Sequence, residues 1–185
     1  MLDKNDFFWK AFDLLNNGRY VQARELFEHL ETDDAKIQLA YMYRLGLGGE
    51  PRLEASIQLY RDLVEKGNVI VAYDLASLLL SLNRSEEALG FFTLASEQGN
   101  SSATYWAAQI CDDYKGANSD SSLYMHYLNK AAKQGHLFAQ RDILKKKYLQ
   151  SGSFIERLKC KFLMILIKWK SLKIIFKNSN HENVS

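Results

Sequence analysis

The sequence predicts an all-α protein, a right-handed solenoid of helical hairpins that ends in an amphipathic helix. Three observations carry this reading. Glu65-Lys66-Gly67-Asn68 returns as Glu97-Gln98-Gly99-Asn100 and then as Lys133-Gln134-Gly135-His136. Self-similarity at a period in the thirties marks a stack of helical repeats. The 185 residues contain one proline and ten glycines, too little punctuation for a loop-rich β fold or a disordered chain. Finally, no segment alternates apolar and polar residues with period two, as a half-buried strand does.

Bulk properties narrow the class of function. The chain is 47% hydrophobic with a net charge of only +2, which suits one domain or one short array. The charge is unevenly spread. From Leu149 to Ser185 seven basic residues face two acidic ones, whereas the preceding residues carry 17 basic and 20 acidic side chains. A mildly acidic body with a basic tail suggests a separate partner for the tail. Cys111 and Cys160 have no metal-ligand spacing and form no disulfide framework, which fits a reducing compartment. Met1-Leu2-Asp3-Lys4-Asn5-Asp6 lacks the basic and apolar regions of a secretory signal. No run approaches the ~18 apolar residues of a membrane-spanning helix; the longest is Phe162 to Ile167. A cytoplasmic location follows, with a peripheral position at the inner face of the cytoplasmic membrane as an option for the basic tail.

The elements are justified in chain order. Residues 5–33 form a hairpin in which Gly18 makes the turn and Ala23 and Phe27 sit on the packing face. Asp6, Lys10, Asp13 and Asn17 occupy its outer side, so this hairpin can cap the array. Three repeats follow at 35–68, 69–100 and 101–136, with a partial one at 137–148. Asp34 is placed to cap the helix that begins near Ala35. Four residues after the recurring glycines come Val71, Ala103 and Ala139, and three before them come Val64, Ser96 and Ala132. Small residues recur where helices approach closely. Bulky pairs such as Leu59-Tyr60 and Phe91-Phe92 recur where helices leave a gap. Each unit reads as two helices, the second closed by a glycine free to adopt the left-handed conformation.

Leu39-Ala40-Tyr41-Met42-Tyr43 followed by Gly46-Leu47-Gly48-Gly49, and then Tyr60 with Lys66-Gly67-Asn68, resemble the Sel1-like repeat, a branch of the tetratricopeptide superfamily. The second copy lacks the Gly-x-Gly insertion and has only Leu82-Asn83-Arg84-Ser85 between its helices; the third keeps Gly116. The 5–33 hairpin resembles an ordinary tetratricopeptide hairpin. The resemblance spans roughly residues 5 to 148. It implies a non-catalytic scaffold or adaptor for a protein or peptide, with no cofactor, no metal and no small-molecule substrate. It further implies a bacterial accessory protein of regulation or of envelope or polysaccharide assembly. In the resembling proteins the first helices line the concave face. On that basis Arg44, Tyr73, Tyr105 and Gln109 are the candidate partner-binding residues, with inter-repeat packing as the competing role for the tyrosines.

Ser151-Gly152-Ser153 reads as a joint, and 154–177 as a basic amphipathic helix. Ile155, Leu158, Phe162, Ile165, Trp169, Leu172 and Phe176 recur at helical spacing as one apolar stripe. Lys161, Lys168, Lys170 and Lys173 lie among its flanking charges. Leu163, Ile167 and Ile174 form a weaker patch on the other side. Three roles stay open: a cap that lays its stripe on the last repeat, an in-plane helix on an anionic membrane, and pairing with a helix of another protein. Residues 178–185 read as a polar, frayed tail.

Other chemistry is weakly supported. The four histidines are scattered, with no zinc spacing; His136 reads as a turn residue. Gly46-Leu47-Gly48-Gly49 follows a helix and lacks a Gly-Lys-Ser/Thr ending, so it is no phosphate loop. Cys160 between Lys159 and Lys161 is a candidate for acylation beside a membrane, weighed against a passive interfacial position. Lys145-Lys146-Lys147 with the basic tail offers a nucleic-acid reading, disfavoured because the repeats are net acidic.

Overall fold

The structure, a computed structural model, describes residues 4–113 and 121–182. Gly116 lies outside the described residues. All regular structure among the described residues is helical, and the chain divides into two compact units, Met1–Gln98 and Gly99–Ser185.

The first unit contains α1 (Lys4–Asn16), α2 (Tyr20–Glu28), α3 (Asp33–Leu45), α4 (Leu53–Glu65), a 3-10 turn (Val69–Val71), α5 (Ala72–Ser81) and α6 (Ser85–Glu97). They pair as the hairpins α1–α2, α3–α4 and α5–α6, and α2 also packs on α3 and α4 on α5. Phe27 is fully buried between Ala11 and Leu14 of α1 and Ala35, Leu39 and Met42 of α3. Burying a phenylalanine contributes roughly 1.5–3 kcal/mol, so this residue joins the first two hairpins. Fully buried Ala40 and Ser56 let α3 and α4 approach closely. The Ser56 hydroxyl donates to the Ala40 carbonyl at 2.7 Å, which satisfies a polar group that burial would otherwise penalise.

The second unit contains α7 (Ser101–Asp113), α8 (Ser121–Lys133), α9 (Leu137–Gln150) and α10 (Phe154–Glu182). Helix α7 pairs with α8, α8 packs on α9, and α9 pairs with α10. Ala108, Leu128, Ala131 and Ala139 form its buried centre. The terminal helix thus stands as the second helix of a hairpin whose first helix is α9. It continues past Lys177 to Glu182, into residues that the sequence reads as a frayed tail.

The recurring Gly-Asn sequence has a local physical cause. Gly67 and Gly135 have φ of +92° and +90°. The Gly67 N–H donates to Val64 O, and the Asn68 N–H to Leu63 O. Gly135 and His136 repeat the pattern onto Ala132 and Ala131. These pairs close a helix by satisfying its last carbonyls. The residue after the glycine can then start the next helix. Asn100 Oδ1 accepts from the Ala103 N–H at 2.9 Å, and His136 Nδ1 accepts from the Ala139 N–H at 3.4 Å. His136 is therefore a helix cap as well as a turn residue. Between α5 and α6, Asn83 replaces the glycine, with φ of +59°.

At α3 the cap differs from expectation. Thr32, not Asp34, caps the helix, its hydroxyl accepting from the Ala35 N–H at 3.3 Å. Asp33 and Asp34 lie in the first turn, where the positive end of the helix dipole favours carboxylates.

The glycine loop after α3 is a packing device. Arg24 Nη1 donates to the Gly48 carbonyl at 3.2 Å, while Arg24 Nε pairs with Glu28 at 3.1 Å. The Tyr43 hydroxyl donates to the same Glu28 carboxylate at 2.9 Å. The Arg24 and Arg52 guanidinium carbons lie 5.6 and 4.9 Å from the Tyr43 ring centroid. The loop is thus held on α2 by a cation–aromatic cluster.

Burial holds the His136 imidazole pKa below its ordinary value, with the charge of Asp142 opposing. Its unfolded-state pKa is therefore the higher one. As pH falls from about 6.5, the unfolded chain gains a proton before the folded one does, so stability declines through that window. Protonation at Nδ1 would also remove the acceptor that caps α9. His136→Asn restores the residue found at the other two positions of the echo. It is expected to flatten the acid limb of a melting-temperature profile between pH 7 and 5. An unchanged slope in this variant would show that His136 does not set it.

Candidate functional site

The four residues proposed from sequence for partner binding fall in both units. In the first, Arg44 near the end of α3 lies with its guanidinium carbon 5.6 Å from the Tyr41 ring centroid. Its Nε is buried without a hydrogen-bond partner. Tyr60 of α4 and Asp74 of α5 complete the electrostatic surroundings. Burial pushes the Tyr60 hydroxyl up to about 12, with Asp74 adding to the shift and Arg44 opposing it. Burial also raises the Asp74 carboxyl, again against the charge of Arg44. Tyr41, Tyr60 and Asp74 were missed in the sequence. The signal available was the Tyr41–Arg44 spacing, which puts both on one helix face. Tyr73 is half-buried and packs edge-on against Phe92, with ring centroids 5.9 Å apart.

In the second unit Tyr105 is tied down by several contacts. Its ring stacks on His136 at 4.5 Å, and its hydroxyl donates to Asp142 Oδ2 at 2.9 Å. Burial, then the bond to Asp142, pushes that hydroxyl up to about 12. Gln109 is half-buried one turn further along α7. Trp106 and Phe138 are exposed close by.

The terminal helix gives the sharpest departure from expectation. It packs on α9, but not through the apolar stripe. Leu158, Phe162, Ile165, Trp169 and Leu172 are exposed, Trp169 at 69% and Phe162 at 61%. The covered residues are Cys160, at 5%, and the half-buried Met164, Ile167 and Ser171. At ~100° per residue these two sets lie on opposite sides of the helix. The cap that sequence reasoning built on the stripe is corrected accordingly: the helix docks by the face of Cys160, Met164, Ile167 and Ser171, and of the weaker patch only Ile167 is covered, Leu163 and Ile174 being exposed. The Phe176 side chain lies outside the described residues. Lys161 and Lys168 flank the stripe on one side, Lys159 and Lys170 on the other, and Lys173 falls on the edge of the stripe itself. The burial of Cys160 also removes it as an accessible acylation site.

Lys145, Lys146 and Lys147 are consecutive on α9, so they spread around the helix and form no stripe. The Lys146 ammonium lies 5.7 Å from the Tyr124 ring centroid. Among the described residues there is no group of three or more histidine, cysteine or acidic side chains that could hold a metal ion. Also among them, no helix is long and apolar enough to cross a membrane.

No family model matches the chain, and no curated protein does. Solved structures do match. A protective antigen present in uropathogenic Escherichia coli strains, which displays a Sel1-like repeat fold, superposes with a TM-score of 0.65 at 21% identity, over 85% of this chain and 36% of that one. A Sel1 repeat protein from Oxalobacter formigenes superposes with a TM-score of 0.61 at 19% identity, over 78% of this chain and 62% of that one. The chain therefore spans less than two thirds of the length of either. At these identities the likeness concerns the fold, and it bears out the resemblance at that level. The chain has the Sel1-like repeat fold, an α-solenoid of helical hairpins.

Proposed function

We propose that this chain is a non-catalytic repeat scaffold whose hairpins hold a protein or peptide partner and whose terminal helix lies on an anionic membrane surface. One observation carries the membrane part: α10 is docked by one face and leaves its stronger apolar stripe outward, flanked by lysines. A docked cap would be expected to leave its polar face in water. Contiguous exposed apolar side chains mark an interaction site. An apolar stripe between lysine rows suits a helix lying in the plane of a bilayer. Seven basic residues lie between Leu149 and Ser185, and each contributes on the order of 1 kcal/mol near an anionic leaflet.

The scaffold part rests on the repeat fold and on the Arg44 cluster. Arginine and tyrosine dominate binding hot spots, and Arg44 has a buried donor without a partner. Tyr73, Tyr105 and Gln109 remain the other proposed contacts. The setting that fits is the cytoplasmic face of a bacterial membrane, in a regulatory or envelope-assembly role. Both solved neighbours named above are bacterial.

Sedimentation of the full chain with phosphatidylglycerol vesicles and with phosphatidylcholine vesicles, over a salt series, tests the membrane part. The expected result is pelleting with the anionic vesicles alone, declining as salt screens the lysines. Absence of pelleting at low salt would overturn it.

A further inference from the structure

Helices α9 and α10 leave a cleft of about 610 Å³ on one flank of the terminal helix. That volume falls within the range of small-ligand clefts, roughly 300–1,000 Å³. Phe138, Met164 and Ile167 supply apolar lining, with Ser171 among them. Arg141, Lys161 and Lys168 border the same space. Ile165 and Leu172 line it too, and both belong to the exposed stripe. A bilayer laid against the stripe would therefore adjoin the cleft. The opposite flank is different: its cleft of about 390 Å³ is lined by Leu163 and Leu166 and has a single cation, Lys170.

The three cations are unequally engaged. Arg141 lies 2.8 Å from the Asp142 carboxylate and 5.0 Å from the Phe138 ring centroid. The Lys161 ammonium lies 5.5 Å from the Tyr148 ring centroid. Neither Lys161 nor Lys168 is paired with a carboxylate among the described residues. An apolar space bordered by two such ammonium groups and a guanidinium matches a ligand with a hydrocarbon chain at one end and a phosphate at the other. We infer that this cleft binds one molecule of an anionic phospholipid, its acyl chain against Met164 and Ile167 and its phosphate at Lys161, Lys168 and Arg141. The bilayer as source of that lipid rests on the membrane reading above; the cleft itself can be tested without a bilayer.

The experiment is a calorimetric titration of the full chain with dihexanoylphosphatidic acid below its micelle-forming concentration, with no vesicles present. Dihexanoylphosphatidylcholine and inorganic phosphate are titrated separately. Saturable binding of one phosphatidic acid per chain is expected, with no measurable binding of the neutral lipid or of phosphate alone. Lys168→Glu should weaken it about tenfold, the scale of one charge-assisted contact. Lys170→Glu, on the other flank, should leave it within about twofold. Ser171→Phe should abolish it by filling the cleft while Trp169-dependent vesicle pelleting persists, and unchanged melting temperatures would certify both lysine variants as folded. Lack of saturable binding to the unaltered chain would overturn the proposal. So would equal losses in Lys168→Glu and Lys170→Glu, or phosphate binding as tightly as the lipid. Short-chain lipid binding without vesicle pelleting would instead overturn the membrane reading and leave the cleft standing.

Discussion

Replacing Ile165 and Trp169 together by glutamate is expected to abolish pelleting with anionic vesicles and to leave the melting temperature of the chain unchanged. Both side chains are outward, Ile165 at 53% and Trp169 at 69% exposure. Substitutions at such positions alter stability by about 0.5 kcal/mol or less. On a bilayer their loss is far larger. Each apolar side chain contributes roughly 1.5–3 kcal/mol on burial, and each added carboxylate is repelled by the anionic leaflet. Together these amount to about 3–6 kcal/mol, a loss of a hundredfold or more in partitioning. The pairing of results decides among the roles for α10. A stripe that secured the fold would give a lower melting temperature in the variant. A stripe that paired two copies of the chain would give a dimer by sedimentation velocity without vesicles, converted to monomer by the same substitutions. Cys160→Glu makes the reciprocal comparison, because that residue is on the covered face. It should destabilise the α9–α10 hairpin, since an unpaired charge is costly in a buried position.

The contrast between these faces shows what could be read from the amino-acid order. Periodicity reports where apolar residues gather on a helix, not which side of the helix is covered. On α10 the strongest stripe is outward, and the covered side is a modest set of Cys160, Met164, Ile167 and Ser171 that no hydropathy rule ranks first. The Gly67, Gly99 and Gly135 echo was legible for the opposite reason. A left-handed helix end and the cap that follows are local requirements, met within a few consecutive residues, so they leave a mark in the sequence. Asn83 meets the same requirement without glycine and was for that reason harder to see. At α3 the sequence pointed to Asp34 alone, whereas the register of the first hydrogen bond puts the cap two residues earlier, at Thr32. Of the Arg44 surroundings only Tyr41, three residues earlier on α3, left a mark in the sequence. Tyr41, Tyr60 and Asp74 come from three helices, and only the packing of α3, α4 and α5 brings their charges and rings to one place. The repeat pattern thus gives the fold and places single candidates, whereas the cluster around a candidate is a tertiary fact.

Gly48→Ala should be the most damaging single methyl addition among the loop glycines, lowering stability by about 3 kcal/mol, whereas Gly67→Ala should cost only about 1–2. Both residues have positive φ, +80° and +92°, and an alanine at either loses about 1–2 kcal/mol to backbone strain. The surroundings then separate them. A Cβ at Gly67 meets nothing within 4 Å. A Cβ at Gly48 would lie 2.7 Å from the Tyr20 carbonyl oxygen and 3.0 Å from the Val21 nitrogen. Those are backbone atoms of α2 and cannot rotate aside as a side chain can. The loop must lift, and lifting it draws the Gly48 carbonyl away from Arg24, whose guanidinium also serves Glu28 and the Tyr43 ring. Overpacking of this kind costs about 1–3 kcal/mol. Urea unfolding of the two variants beside the parent chain measures the difference directly. Equal midpoints would mean that the loop does not bear on α2 in solution, and the account of Gly46 to Gly49 as the fastening between the first two hairpins would fail with it.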